Sequence, residues 1–179
     1  MNAEILRMEG LRIEARSEDG AQVKAIVDNV DLLLHRGEVL GLIGESGAGK
    51  STIGLAALGY TRPGCVIAGG KILFDGIDIR AQSLDQRRRL RGRRIAYIAQ
   101  SAAASFNPAK RLYHQICEGP VRHGVMSYEQ ARAEAVQLFR ALDLPSPETF
   151  GERYPHQVSG GQLQRAMAAM AMSCKPDIL

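Results

Sequence analysis

One stretch constrains this chain more than any other: Val39 to Thr52, reading VLGLIGESGAGKST. Val39 to Ile43 is a short apolar run of the kind a buried strand shows. Gly44, Glu45, Ser46, Gly47, Ala48, Gly49, Lys50 and Ser51 then satisfy the pattern G-x-x-x-x-G-K-[ST] in full. Glycines let the backbone curl until successive N–H groups point at one anion. A helix starting just after adds the positive end of its dipole. Lys50 supplies a cation that can reach the β- and γ-phosphates of a nucleotide, and the Ser51 hydroxyl is a hard ligand suited to Mg²⁺. The stretch therefore predicts a strand, a phosphate-binding loop and a helix from Lys50 to Gly59.

Composition narrows the setting. The 179 residues are enough for one domain with a sizeable core. Basic residues outnumber acidic ones by 23 to 19, and a net charge of +4 is too mild to argue for nucleic acid. Cys65, Cys117 and Cys174 are scattered and odd in number, which suggests neither a disulfide framework nor a metal site. His114, His123 and His156 lack ligand spacing. No run of 18 apolar residues is present. The first ten residues lack the apolar stretch of a signal peptide.

The remaining segments give an order of elements. Ile5 to Arg16 and Val23 to Leu34 are strand candidates, joined through the polar turn Ser17-Glu18-Asp19-Gly20. Two apolar runs flank Asp75-Gly76, the signature of a tight hairpin. Gln86 to Arg94 holds six arginines with no interleaved aromatic residue, which favours a solvated helix face over a nucleic-acid or lipid contact. Ile95 to Ala99 is a second buried-strand candidate and leads to Gln100. Ser127 and Gln130 have capping-box spacing, followed by an apolar stripe of Ala131, Ala135, Leu138, Phe139 and Leu142. Ser159-Gly160-Gly161 opens a second helical run, rich in Ala and Met, that Lys175-Pro176 stops.

Two separate helix starts suited to anions, with a glutamine-terminated strand between them, make a specific pattern. In that pattern the chain resembles the nucleotide-binding domain of an ATP-binding-cassette (ABC) protein. Gly44 to Ser51 matches the family's Walker A loop. Gln100 matches its Q-loop glutamine. Val158-Ser159-Gly160-Gly161-Gln162 matches its LSGGQ signature, with valine for the usual leucine. The segments Gly44-Glu45-Ser46-Gly47, Ser105-Phe106-Asn107-Pro108 and Tyr154-Pro155-His156-Gln157 resemble the ATPase subunits of dipeptide, oligopeptide and nickel importers.

The resemblance implies an α/β fold. Its P-loop core would have a mainly parallel sheet holding Val39–Ile43 and Ile95–Ala99 together. An N-terminal antiparallel β region and an inserted helical subdomain, at about residues 101–160, would complete a single domain over 1–179. It implies an ATP hydrolase with ATP and Mg²⁺ as cofactors. Gly44 through Ser51 and Thr52 would bind ATP, and Ser51 and Gln100 would hold Mg²⁺, with Gln100 also touching the attacking water. Ser159, Gly160, Gly161 and Gln162 would bind the ATP of a partner copy.

The implied partners are a second ATPase subunit, membrane-spanning permease subunits and, indirectly, a substrate-binding protein, with no nucleic acid. The implied place is peripheral, on the cytoplasmic face of the inner membrane, in solute uptake with a peptide as the expected solute.

Two departures stand out. Ala15 falls near the place where the family usually stacks an aromatic ring on adenine. Asp177-Ile178-Leu179 looks like the start of the Walker B strand, so the catalytic glutamate is expected beyond Leu179 in a C-terminally truncated domain. The competing expectation is therefore a nucleotide-binding fragment with little or no turnover. A cassette protein acting on nucleic acid or ribosomes would usually carry large insertions or a second cassette, and neither is present.

Overall fold

A computed structural model describes residues 3–17 and 22–179. Of the expected turn Ser17-Glu18-Asp19-Gly20, only Ser17 lies within the described residues. The chain divides into two compact units, Met1–Arg88 and Arg89–Leu179.

The first unit is built on a four-stranded antiparallel sheet in the order β2-β1-β3-β4. Strands β1 (Glu4–Arg16) and β2 (Val23–His35) form the hairpin expected from their apolar patterns. Strand β3 (Cys65–Phe74) pairs on the other side of β1, and the short β4 (Ile77–Asp78) closes the order. Asp75 and Gly76 both have positive φ, 47° and 75°, as the two-residue turn between β3 and β4 requires.

The buried residues of β1 change parity along the strand, from Leu6 and Met8 to Leu11 and Ile13. A bulge causes this. The β1–β2 register shifts between Met8 and Leu11, where Gly10 has φ 56° and Asn29 of β2 has φ 51°. One extra residue returns the next apolar pair to the same face. The backbone N–H of Gly10 donates to Asp31 Oδ1 at 2.7 Å. Gly70 of β3 crosses this bulge so closely that a Cβ there would lie 2.5 Å from the carbonyl oxygens of Glu9 and Gly10.

Helix α1 (Lys50–Ala56) is shorter than the expected Lys50–Gly59. It ends in a Schellman arrangement: Tyr60 N–H donates to Leu55 O, Gly59 N–H donates to Ala56 O, and Gly59 has φ 61°. The arginine-rich segment forms α2 (Leu84–Leu90), which buries no residue, consistent with a solvated face.

The second unit is helical: α3 (Leu112–Arg122), α4 (Tyr128–Ala141), α5 (Pro147–Phe150) and α6 (Gly160–Met172). Ser127 caps α4 through the expected box, accepting from Gln130 N–H while Gln130 Oε1 accepts from Ser127 N–H at 2.9 Å. The stripe Ala131, Ala135, Leu138 and Phe139 is buried. It packs with Tyr113, Ile116, Phe150, Ala166 and Met167 in one apolar cluster. At its centre the Phe139 and Phe150 rings meet edge to face at 5.1 Å.

The two expected core strands need correction. Val39–Ile43 forms no ladder with any described residue, and Val39 and Ile43 are 97% and 99% exposed. Within Ile95–Ala99 only Ile95 pairs, through isolated parallel bridges to Arg91 and Ile178. The two segments belong to different compact units rather than to one described sheet. A buried parallel strand needs a neighbour on each side to satisfy its backbone. Val39–Ile43 has no such neighbour among the described residues, and its apolar side chains are exposed. Among the described residues, all ladders longer than a bridge are antiparallel.

Candidate nucleotide site

Gly44 to Ala48 form an exposed loop between the 39–43 segment and α1. Gly47 and Gly49 have φ 86° and 82°, a left-handed curl that a side chain would strain. Gly49 also sits against β2. A Cβ there would lie 3.0 Å from Ile26 O and 3.1 Å from Val27 Cγ2. The sheet thus fixes the base of the loop, while its tip is open.

Lys50 Nζ donates to Gly44 O at 2.7 Å and Glu45 O at 2.6 Å, folding its ammonium back over the loop. This places the cation across the concave side of the curl. Ser51 is exposed one residue on, and Thr52 is half-buried. The donor set suits a polyphosphate with a hard divalent cation: a lysine ammonium, curled backbone amides and a hydroxyl oxygen. Residues 44–52 would hold the phosphates, and Ser51 would offer an oxygen to Mg²⁺.

Gln100 and the signature residues lie in the second unit. Gln100 is exposed, and the segment after it is braced from within. Ser105 Oγ donates to Ser101 O at 2.9 Å. Phe106 is buried in the helical core. Gln115 of α3 accepts from Asn107 N–H at 2.8 Å and donates to Lys110 O at 2.9 Å.

Ser159 is the N-cap of α6. It accepts from Gln162 N–H, and Gln162 Oε1 accepts from Ser159 N–H at 3.0 Å. Gln162 thus has a local partner inside the signature. Its S-x-x-Q spacing is the same capping signal that was legible at Ser127. Gly160 and Gly161 are exposed, with nothing within 4 Å of a Cβ at either, so the first turn of α6 is open to an approaching group.

A polar cluster without any local sequence signal lies seven residues before this helix start in the chain. Glu152 accepts from Arg111 Nη1 at 2.9 Å and from Arg132 Nη2. The three residues are 21 and 20 positions apart, a spacing that no periodicity reveals.

The ABC transporter family model matches residues 27–179. The chain belongs to this family. It is 41% identical to the glutathione import ATP-binding protein of Salmonella choleraesuis (strain SC-B67), an alignment covering 98% of this chain and 29% of that protein. It is 36% identical to the oligopeptide transport ATP-binding protein of Lactococcus lactis subsp. cremoris (strain SK11), covering 87% of this chain and 46% of that protein. The chain therefore spans less than half the length of either relative. In fold it is similar to a dimeric bacterial ABC transporter cassette, with TM-score 0.81 at 23% identity, covering 96% of this chain and 71% of that one. That likeness concerns the fold alone, which is that of an ABC cassette.

Proposed function

We propose that the chain is the ATP-binding part of an ABC importer subunit, which couples MgATP binding and hydrolysis to uptake of a peptide-like solute. The observation that carries the reading is the Lys50 ammonium lying across a left-handed glycine curl at the start of α1, in a chain of this family. Residues 1–179 form one cassette in this reading, with residues 101–160 as its helical part. Gly44 to Thr52 hold the triphosphate. Ser51 and Gln100 serve Mg²⁺, and Gln100 orients water.

Ser159, Gly160, Gly161 and Gln162 present the start of α6 to the nucleotide of a second ATPase subunit. Nucleotide then joins two copies, and its loss frees them. The braced segment after Gln100 meets a membrane-spanning permease subunit, and a substrate-binding protein acts through that permease. Nucleic acid has no part. No helix among the described residues is long and apolar enough to cross a membrane. In this reading the chain sits peripherally, on the cytoplasmic face, through its partners. The class of solute is taken from the relatives, which are a glutathione import and an oligopeptide transport ATP-binding protein.

Calorimetric titration of the chain with MgATP tests the first step. Saturable binding that Mg²⁺ strengthens is expected. Absence of heat up to millimolar nucleotide would overturn the reading.

A further inference from the structure

We propose that Glu152 is a positioning residue that sets the start of α6, and so the presentation of Ser159–Gly161 to a partner copy's nucleotide. The inference rests on the reading of that segment given above. Four observations carry it. The backbone on either side of Glu152 caps α3: Tyr113 N–H donates to Gly151 O at 2.8 Å, and Leu112 N–H donates to Arg153 O at 3.0 Å. These two amides lie in the first turn of α3 and have no partner within the helix.

The Glu152 carboxylate itself spans two elements. It holds Arg111, the N-cap residue of α3, at 2.9 Å, and it holds Arg132 of α4. Both guanidinium groups are also seated on rings, Arg132 at 4.5 Å from the centre of Tyr113 and Arg111 at 5.8 Å from that of Tyr154. A planar guanidinium held on both sides keeps a fixed direction.

The lead-in to α6 follows at once. Tyr154 N–H donates to Gln157 Oε1 at 2.8 Å, closing a short 3-10 turn over Pro155–Gln157. Val158 then packs against the helical core, and Ser159 begins the capping box of α6. From Gly151 to Ser159 the chain is thus held at Gly151, Glu152, Arg153, Tyr154, Val158 and Ser159. Its register is tied to α3 by the two backbone hydrogen bonds, and to α3 and α4 together by the Glu152 carboxylate. Replacing that carboxylate by a neutral amide leaves two arginines near each other with no anion between them. The lead-in can then shift, and with it the open turn at Gly160 and Gly161.

The test is dimerisation of the 179-residue chain with Mg²⁺ and adenosine β,γ-imidotriphosphate, followed by analytical ultracentrifugation. Nucleotide binding to the monomer is measured separately under dilute conditions. Glu152→Gln is expected to raise the dimer dissociation constant about tenfold, within the usual range of coupling between sites. Nucleotide affinity of the monomer should change less than the dimer constant. Glu152→Asp, which keeps the charge, should recover part of the loss. Arg132→Met, which removes one arm, should give a smaller loss in the same direction and supports the proposal if Glu152→Gln does not fold.

Dimerisation of both Glu152→Gln and Arg132→Met at the wild-type constant overturns the proposal. So does an equal loss in monomer affinity, which would mark a general structural role. Gly161→Glu separates the two readings, since its side chain enters open space. If Gly161→Glu blocks dimerisation and Glu152→Gln does not, the signature reading stands and the Glu152 proposal falls. If Gly161→Glu dimerises normally, or the wild-type chain stays monomeric, both fall.

Discussion

At the residue scale, the phosphate loop depends on what a glycine permits and what a lysine charge can reach. Among the described residues Lys50 is paired with the loop carbonyls of Gly44 and Glu45, and in the proposed function the same ammonium meets phosphate oxygens. Lys50→Ala removes a charge-assisted hydrogen bond, and calorimetry should show MgATP affinity lower by about 2–3 kcal/mol. Wild-type affinity in the variant would refute the role of Lys50. Gly151 has a different constraint. A Cβ there would lie 2.5 Å from the Tyr113 ring, whose hydroxyl is held by Glu148 O at 3.0 Å. The ring cannot swing aside without breaking that bond. Gly151→Ala should therefore destabilise the helical unit by about 1–3 kcal/mol, as overpacking does, read in denaturant melts. A melt unchanged from wild type would show that the ring relaxes freely. The first of these positions was legible from a motif. The second was not, because it depends on a ring 38 residues away in the chain.

At the element scale, local signals succeeded wherever an element is stabilised by its own neighbours. Ser127 and Gln130 cap α4 as their spacing predicts, and the stripe behind them is buried. Ser127→Ala should cost about 1 kcal/mol of stability, with loss of amide-exchange protection confined to the first turn of α4. Protection unchanged at Gln130 would show the cap to be idle. The hairpin turn at Asp75-Gly76 also came directly from its dipeptide. The bulge at Gly10 was not legible, because it is a property of β1 together with Asn29 and Gly70 on its two neighbours. The strands at Val39–Ile43 and Ile95–Ala99 were misjudged for a related reason. An apolar run states what a strand would bury, but only a paired neighbour makes it a strand.

At the scale of the whole molecule, the surface carboxylates give stability a sign with pH. The hydrogen bonds from the Arg7 guanidinium hold Glu4 below the ordinary glutamate value of 4.5. The backbone N–H of His35 does the same for Glu38, and the Arg140 guanidinium for Glu148. A carboxylate whose folded value is depressed binds fewer protons folded than unfolded. Its contribution is complete above the unfolded value and is lost as pH falls through the folded one. Melting temperature should thus be flat in this respect from neutral pH to about 5 and fall below about 4.5. The carboxylates are exposed, so the effect should be small and weaken with salt. Thermal melts at low and high ionic strength check this, and a melting temperature that rises on acidification from 4.5 would contradict it.

The sequence by itself determined the glycine loop before α1, the two helix starts, both hairpins and membership of the family, since each is written in residues close together in the chain. Hydrogen bonds within a turn or cap need only a few neighbouring positions, and so their signals survive in one dimension. The tertiary structure alone decided which apolar runs became strands and why Gly151 must be glycine. It also decided that Glu152 joins Arg111 to Arg132 ahead of the signature helix in the chain. These depend on groups tens of residues apart meeting within hydrogen-bond distance or van der Waals contact, and only the packed chain specifies that meeting.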